Sequence, residues 1–190
     1  MRRERGDLTS LSELVRAYPV ISSGRGRITR GVLLLRIERV GFLDADVQTL
    51  VAEVQAEYVV RYGGPDTTPM DDTVFDPPAG AIYVGYVKDL PVALGGWRSR
   101  PDVVRLGGNR AAEIKRMYVA SPGRRQGLAR ALLTHLERTA AESGADVMIL
   151  ETGLVQPEAI ALYESSGYEP VEKFGYYAWS PISRCYAKRL

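Results

Sequence analysis

The fold is decided by residues 113–129: Glu113-Ile114-Lys115-Arg116-Met117-Tyr118-Val119, a four-residue link, then Arg124-Arg125-Gln126-Gly127-Leu128-Ala129. The first part lies within 112–119, a run with the length and the β-branched or aromatic content of a strand. The second enters a helix expected over 127–143. There Leu128, Leu132, Leu136 and Ala140 fall on one face with Leu133 beside them, and Gly144 stops the helix. A small-residue turn feeding a helix N-terminus leaves backbone N–H groups unpaired and directed outward. Together with the helix dipole they form a ready anion site. Gly127 removes the side chain where a phosphate would approach the backbone, and Arg124 and Arg125 add positive charge. No Gly-Lys-Ser/Thr and no Gly-x-Gly-x-x-Gly is present, so two familiar phosphate loops do not fit. Taken alone, the stretch also suits an ordinary strand–turn–helix connection with surface arginines.

Working outward, 147–151 reads as a short buried strand. Gln156-Pro157 opens another helix, with Pro at the first helical position, and Gly167 closes it. The tail, 168–190, holds enough Tyr, Phe and Val for two more strands. Upstream, 33–40 is β-rich. Asp44 caps a helix bearing Val47, Leu50, Val51, Val54 and Tyr58 on one face, ended by Gly63-Gly64-Pro65. Residues 63–80 form a long Pro-, Gly-, Asp- and Thr-rich loop. Runs at 81–88 and 92–98, separated by Asp89-Leu90-Pro91, suggest a hairpin. The element order is that of a mixed α/β layer with helices packed on a sheet.

Three segments in this order carry a resemblance. They are Glu113–Val119, then Arg124-x-x-Gly127-x-Ala129, then Gln156-x-x-Ala159-x-x-Leu162-Tyr163-x-x-x-Gly167-Tyr168. Together they resemble the GNAT acetyltransferase superfamily. Motif-level similarity covers 113–168, and the element order extends it over about 32–190. The resemblance implies a mostly antiparallel mixed sheet with splayed central strands, flanked by helices. It implies an N-acetyltransferase using acetyl-CoA as co-substrate, without a metal, and direct transfer to a primary amine of a small molecule or peptide. The backbone of Met117 and Val119 would pair with the pantetheine arm. The amides of Arg124, Arg125, Gln126, Gly127, Leu128 and Ala129 would hold the pyrophosphate. Gln156 stands where the family carries Asn, which puts its contacts to water or cofactor in question. Tyr163 would protonate the leaving thiolate as the general acid, or else be a core aromatic of its helix. Glu113 is the base candidate: six residues before Val119, it shares a side with it in an unbulged strand. It also suits a strand-face glutamate paired with Lys115. Glu151 is a second base candidate.

The acceptor side is less marked. Tyr58, Tyr62, Asp66, Asp71, Asp72 and Asp76 lie where the family lines its acceptor pocket, and the aspartates suit either a cationic amine or a solvated loop. Trp97 and Arg98 end a central strand, with walling the pocket or packing both open to them. His135 is expected on the solvent face of its helix, and Cys185 as a small core residue.

Composition narrows the rest. The 45% apolar and 25% charged content is that of a soluble globular protein, and 190 residues suit one domain. One Cys and one His exclude a disulfide within the chain and a Cys-based zinc site. A reducing cytoplasm is the expected location. No apolar run reaches a membrane span, and the N-terminus lacks the apolar region of a signal peptide. Residues 1–31 hold seven Arg against three acids, a charge of +4 within a chain of +2, so the remainder is about −2. They read as a basic extension before a domain at 32–190, and Ser10-x-x-Glu13 suggests a capped short helix within it. The body is not basic enough to indicate a nucleic-acid partner. A homodimer, the acceptor's identity and longer acyl donors stay open. Rival functions are a non-catalytic acyl-CoA-binding sensor and a partner-binding role for the arginine-rich arm.

Overall fold

In a computed structural model, the structure describes residues 13–16 and 34–190. The elements are β1 (Glu13–Arg16), β2 (Leu34–Val40), α1 (Ala45–Tyr62), β3 (Gly80–Val87), β4 (Leu90–Arg100), β5 (Ala111–Val119), α2 (Leu128–Glu142), β6 (Val147–Gly153), α3 (Pro157–Glu164), β7 (Glu169–Val171) and β8 (Ser183–Arg189). They form one eight-stranded sheet in the order β1-β2-β3-β4-β5-β6-β8-β7. Every pairing is antiparallel except β5 with β6. A parallel pair needs a crossover, and α2 supplies it.

Asp44 caps α1 by accepting from the Asp46 amide, and Gly63 ends it in the left-handed conformation. Val47, Leu50 and Val54 bury that helix against Ile82, Val84, Leu94 and Tyr118 on one face of the sheet. The other face carries α2, whose Leu128, Leu132, Leu133, Leu136 and Ala140 pack with Tyr83, Trp97, Ile114, Met148 and Leu150. β6 is buried on both faces: Met148 and Leu150 meet α2, while Val147 and Ile149 join Phe174, Cys185 and Ala187 on the other side. Its continuous apolar run follows from that double burial. Leu132 has no exposure and sits at the centre of the α2 layer. Leu132→Ala should cost about 2–5 kcal/mol, as a cavity replaces the side chain. Urea denaturation would measure it, and a loss under 1 kcal/mol would mean the layer closes around the gap.

The hairpin is tighter than the sequence suggested. Lys88 and Asp89, both with φ in the left-handed region, make a two-residue turn, and Leu90 and Pro91 already belong to β4. The capped helix expected near Ser10 is not found at 13–16, where the chain is a strand on β2 with Glu13 opposite Ile37. Strand pairing of this kind is long-range and outweighs a weak local cap signal. The rest of the basic extension lies outside the described residues. His135 also departs from expectation. It is 6% exposed, with its ring edge-on to Tyr83 at 4.5 Å. The buried arc of α2 is broad enough to include it because β3 runs beneath that side.

One irregularity shapes the centre of the molecule. Between β4 and β5, Leu94 pairs with Tyr118 but Gly96 pairs with Lys115. Two steps along β4 therefore match three along β5, which is a β-bulge. Arg116 takes a left-handed φ of 56° within it. The extra residue reverses which side each subsequent side chain faces. Ile114 packs with the α2 cluster, and so do Met117 and Val119, although an unbulged strand would set 114 and 117 on opposite sides.

Candidate active site

β5 and β6 pair only over Ala111–Glu113 and Val147–Ile149. Past that point they separate, and a cavity of about 400 Å³ opens between them. Ile114, Lys115, Arg116 and Met117 line one side, and Leu150, Glu151, Thr152 and Gly153 the other. Because β6 no longer pairs there, backbone groups of β5 beyond Glu113 face the gap without a strand partner. Tyr163 of α3, Tyr58 and Tyr62 of α1, and Asp66 of the 63–80 loop close the cavity, with Tyr177, Trp179 and Ser183 from the C-terminal segment.

The α2 entrance follows β5 in the chain after a short link. Gly127 adopts φ 79°, α2 has no side-chain N-cap, and its first closing bond runs from the Ala131 amide to the Gly127 carbonyl. The amides before it therefore stand at an open helix end, suited to an anion. Arg124 and Gln126 are partly tied back. The Arg124 guanidinium donates to the Val119 carbonyl at 2.8 Å and to Glu57, and the Gln126 amide donates to the Pro122 carbonyl at 2.7 Å. Arg125 is exposed. Gln156 caps α3 by position but not by side chain. Its Oε1 accepts from Tyr62 Oη at 2.9 Å and from Thr152 Oγ1 at 3.3 Å. Gly153 permits that reach, since a Cβ there would stand 2.2 Å from the Tyr62 hydroxyl.

Tyr163 is buried, and burial pushes its phenol well above its ordinary pKa, with Tyr58 adding to the shift. Among the described residues its hydroxyl meets only Met117 Sδ, at 3.7 Å. A thioether is a weak acceptor, so the phenolic proton is uncommitted. Glu151 is half-buried in the cavity wall, and Ser183 Oγ donates to its Oε1 at 2.6 Å. Desolvation raises its pKa against the lowering effects of Ser183 and Lys115, and the Glu113 and Asp66 charges add to the rise.

Glu113 stands apart from the cavity, in the ion-paired position beside Lys115. It is fully buried, outside the cavity lining, and enclosed by cations. Arg98 Nε lies 2.9 Å and Arg100 2.6 Å from its Oε2, and Lys115 Nζ 2.8 Å from Oε1. Burial alone would raise its pKa, but Lys115, Arg98 and Arg100 hold it below the usual carboxylate range. The bulge at Arg116 is the reason. It turns Glu113 to the side opposite Val119, so the count of six residues misleads.

Of the loop aspartates, only Asp66 lines the cavity. It accepts from the Thr68 amide and hydroxyl, from Tyr177 Oη at 3.1 Å and from Arg116 at 3.1 Å. Asp71 instead caps the 3-10 turn at Asp72–Phe75. Trp97 packs in the core and donates to Thr139, and Arg98 serves Glu113, so neither walls the cavity. The sequence does not single out Arg116, Tyr177, Trp179 or Ser183, and it offers Lys115 only as a partner for Glu113. Arg116 carries no local signal of its own, Tyr177 and Ser183 reach the cavity through contacts across more than 100 and about 30 residues, and Trp179 lines it from the same C-terminal segment.

The model of the acetyltransferase (GNAT) family matches residues 49–168, nearly two thirds of the chain. The chain belongs to the GNAT acetyltransferase family. An IAA acetyltransferase from Azospirillum brasilense is 37% identical over 78 residues, 41% of this chain and 51% of that protein. Human N-acetyltransferase 8 is 34% identical over 70 residues, 37% of this chain and 31% of that one. The chain spans about half or less of the length of the curated relatives it matches. Among solved structures, an assigned acyl-CoA N-acyltransferase from Klebsiella pneumoniae superposes with a TM-score of 0.63 at 27% identity, over 81% of this chain and 96% of that one. A GNAT acetyltransferase from Elizabethkingia anophelis, solved with acetyl-CoA bound, shares the fold at 13% identity and a TM-score of 0.57, over 82% and 98%. The mostly antiparallel sheet with splayed central strands is that of the family.

Proposed function

We propose that this GNAT domain transfers the acetyl group of acetyl-CoA to a primary amine of a small molecule or peptide, directly and in a ternary complex. The observation that carries this reading is the cavity in the β5–β6 gap, which holds both a carboxylate and a phenol, with an uncapped helix entrance a short link beyond β5. Bound acetyl-CoA supplies an activated thioester. The amides of 125–129 hold its pyrophosphate, with Gly127 giving the backbone room, while the Arg124 amide is given to the Ser121 carbonyl. Met117 and Val119 offer backbone groups to the pantetheine arm.

Glu151, in place of Glu113, takes a proton from the acceptor's ammonium, directly or through one water, so that the free amine can attack. Tyr163 returns a proton to the departing sulfur. A phenol with a raised pKa keeps its proton in the resting enzyme, and the same desolvation raises the basicity of a thiolate expelled beside it, so the proton can pass to sulfur. Gln156 orients Tyr62 at the cavity wall. The lone buried Cys185 suits a reducing cytoplasm as the working location. Among the described residues no helix is long and apolar enough to cross a membrane.

Thiol release from acetyl-CoA over a broad amine panel tests the activity. Bound acetyl-CoA with no release on any amine would mark an acyl-CoA sensor instead. The base is tested separately. In the native protein kcat/KM should rise with pH through an ionisation above the ordinary glutamate value of about 4.3, since the charged form is the active one. Glu151→Gln should remove that limb and lower kcat by roughly 10²-fold. An unchanged pH limb in the variant would exclude Glu151 as the titrating group.

A further inference from the structure

Four charged side chains line the cavity: Lys115 and Arg116, Asp66 and Glu151. Their signs balance. Adding their ion-pair partners keeps the balance, because Arg98 and Arg100 join one side and Glu113 and Asp102 the other. A site for a polycation needs surplus carboxylate to attract it, and here there is none.

These charges are not equally committed. Lys115 is held to Glu113. Asp66 is filled by Thr68, Tyr177 and Arg116. Glu151 accepts from Ser183. Arg116 is different. Its side chain is only 8% exposed and one terminal nitrogen reaches Asp66. Its Nε is buried with no hydrogen-bond partner among the described residues. A guanidinium presents donors in a planar fork suited to both oxygens of a carboxylate. A buried donor left unfilled is unfavourable, so an unfilled edge in a cavity wall points to a ligand. The residue also occupies the bulge with a left-handed φ of 56°, an unusual conformation for arginine and one that gathers at functional sites. Around it stand Tyr58, Tyr62, Tyr177 and, at the rim, Trp179, which is 77% exposed.

We propose that the acceptor is an amino carboxylate, an α-amino acid with an apolar or aromatic side chain, whose carboxylate docks on the guanidinium of Arg116 while its ammonium meets Glu151. This rests on the acetyl-transfer reading above. Glu151 takes one proton from the ammonium, and the free amine attacks; as the N–C bond forms and the thioester C–S bond breaks, Tyr163 protonates the sulfur and recovers a proton, through water, from the second N–H of the new amide nitrogen. The product is an N-acetylated amino acid that has lost its positive charge and keeps its carboxylate. The aromatic residues face its side chain. Arg116 is thus a specificity-determining residue, not a catalytic one.

Matched pairs test this: phenylalanine against phenethylamine, tryptophan against tryptamine and leucine against isoamylamine, each with acetyl-CoA. The native protein should favour the amino acid by tenfold or more in kcat/KM. Arg116→Lys keeps a charge for Asp66 but loses the fork, and should collapse that ratio towards one through KM for the amino acid. Calorimetric binding of N-acetylphenylalanine should weaken by a similar factor, a readout that needs no turnover. Native preference for the decarboxylated amines, or an equal rise in KM for both members of each pair, overturns the proposal and leaves acetyl transfer standing. Thiol release with no amine at all overturns acetyl transfer itself, and this assignment with it.

Discussion

Glu113→Ala should destabilise the protein by about 3–5 kcal/mol, because removing one partner of a buried ion cluster strands the others. Arg98, Arg100 and Lys115 all converge on this one carboxylate, which has no exposure to solvent. In a chain of this size the loss corresponds to a fall in Tm of roughly 10 °C. The pH dependence has a definite sign. The folded-state pKa of Glu113 is depressed, so its contribution is present above the unfolded value near 4.3 and is lost as pH falls through the folded value. The native protein should therefore lose stability in acid more steeply than Glu113→Ala. Thermal melts between pH 3 and 7 would show the two curves converging at the acid end. A near-native Tm joined to a hundredfold loss of kcat would reinstate Glu113 as the base.

The second large effect belongs to Tyr163. Tyr163→Phe removes a hydroxyl whose protein contact is a single thioether, so folding should be nearly unaffected. The kcat should fall by roughly 10²-fold or more if this phenol supplies the proton to sulfur. The KM for acetyl-CoA should stay within a few-fold, since the α2 entrance and β5 backbone are untouched. Pre-steady-state measurement of thiol release, paired with a thermal melt, separates the two contributions. A variant with native kcat would assign that proton to water, and a fall in Tm of many degrees would show Tyr163 to be a structural residue first.

Both predictions turn on what sequence does and does not carry. Helix α1 was legible because Asp44, Val47, Leu50 and Val54 report a cap and a periodicity that are local. The α2 entrance was legible for the same reason, through Gly127 and the leucines behind it. The splay between β5 and β6 came from family resemblance, not from any property of the residues themselves. The facing of Glu113 was not legible. It depends on an extra residue in β5 and on a left-handed arginine, and nothing in Lys115-Arg116-Met117 announces either. The cavity's far wall was hidden by distance along the chain, since Tyr177 meets Asp66 across 111 positions. His135 was misjudged because its polar neighbours along the helix say nothing of the strand beneath it.

The bulge at Arg116 makes β5 two half-strands out of phase on a single backbone. Residues before it answer to the buried charge cluster, and residues after it to the α2 layer and α1. Such a strand tolerates change of side chain better than change of length. A substitution in one half leaves the other half's facing intact, while losing or gaining one residue would exchange inside for outside along everything downstream. A substitution at 113–116 therefore acts through that side chain's own contacts, whereas a change in the spacing to Val119 acts on the whole second half of the strand.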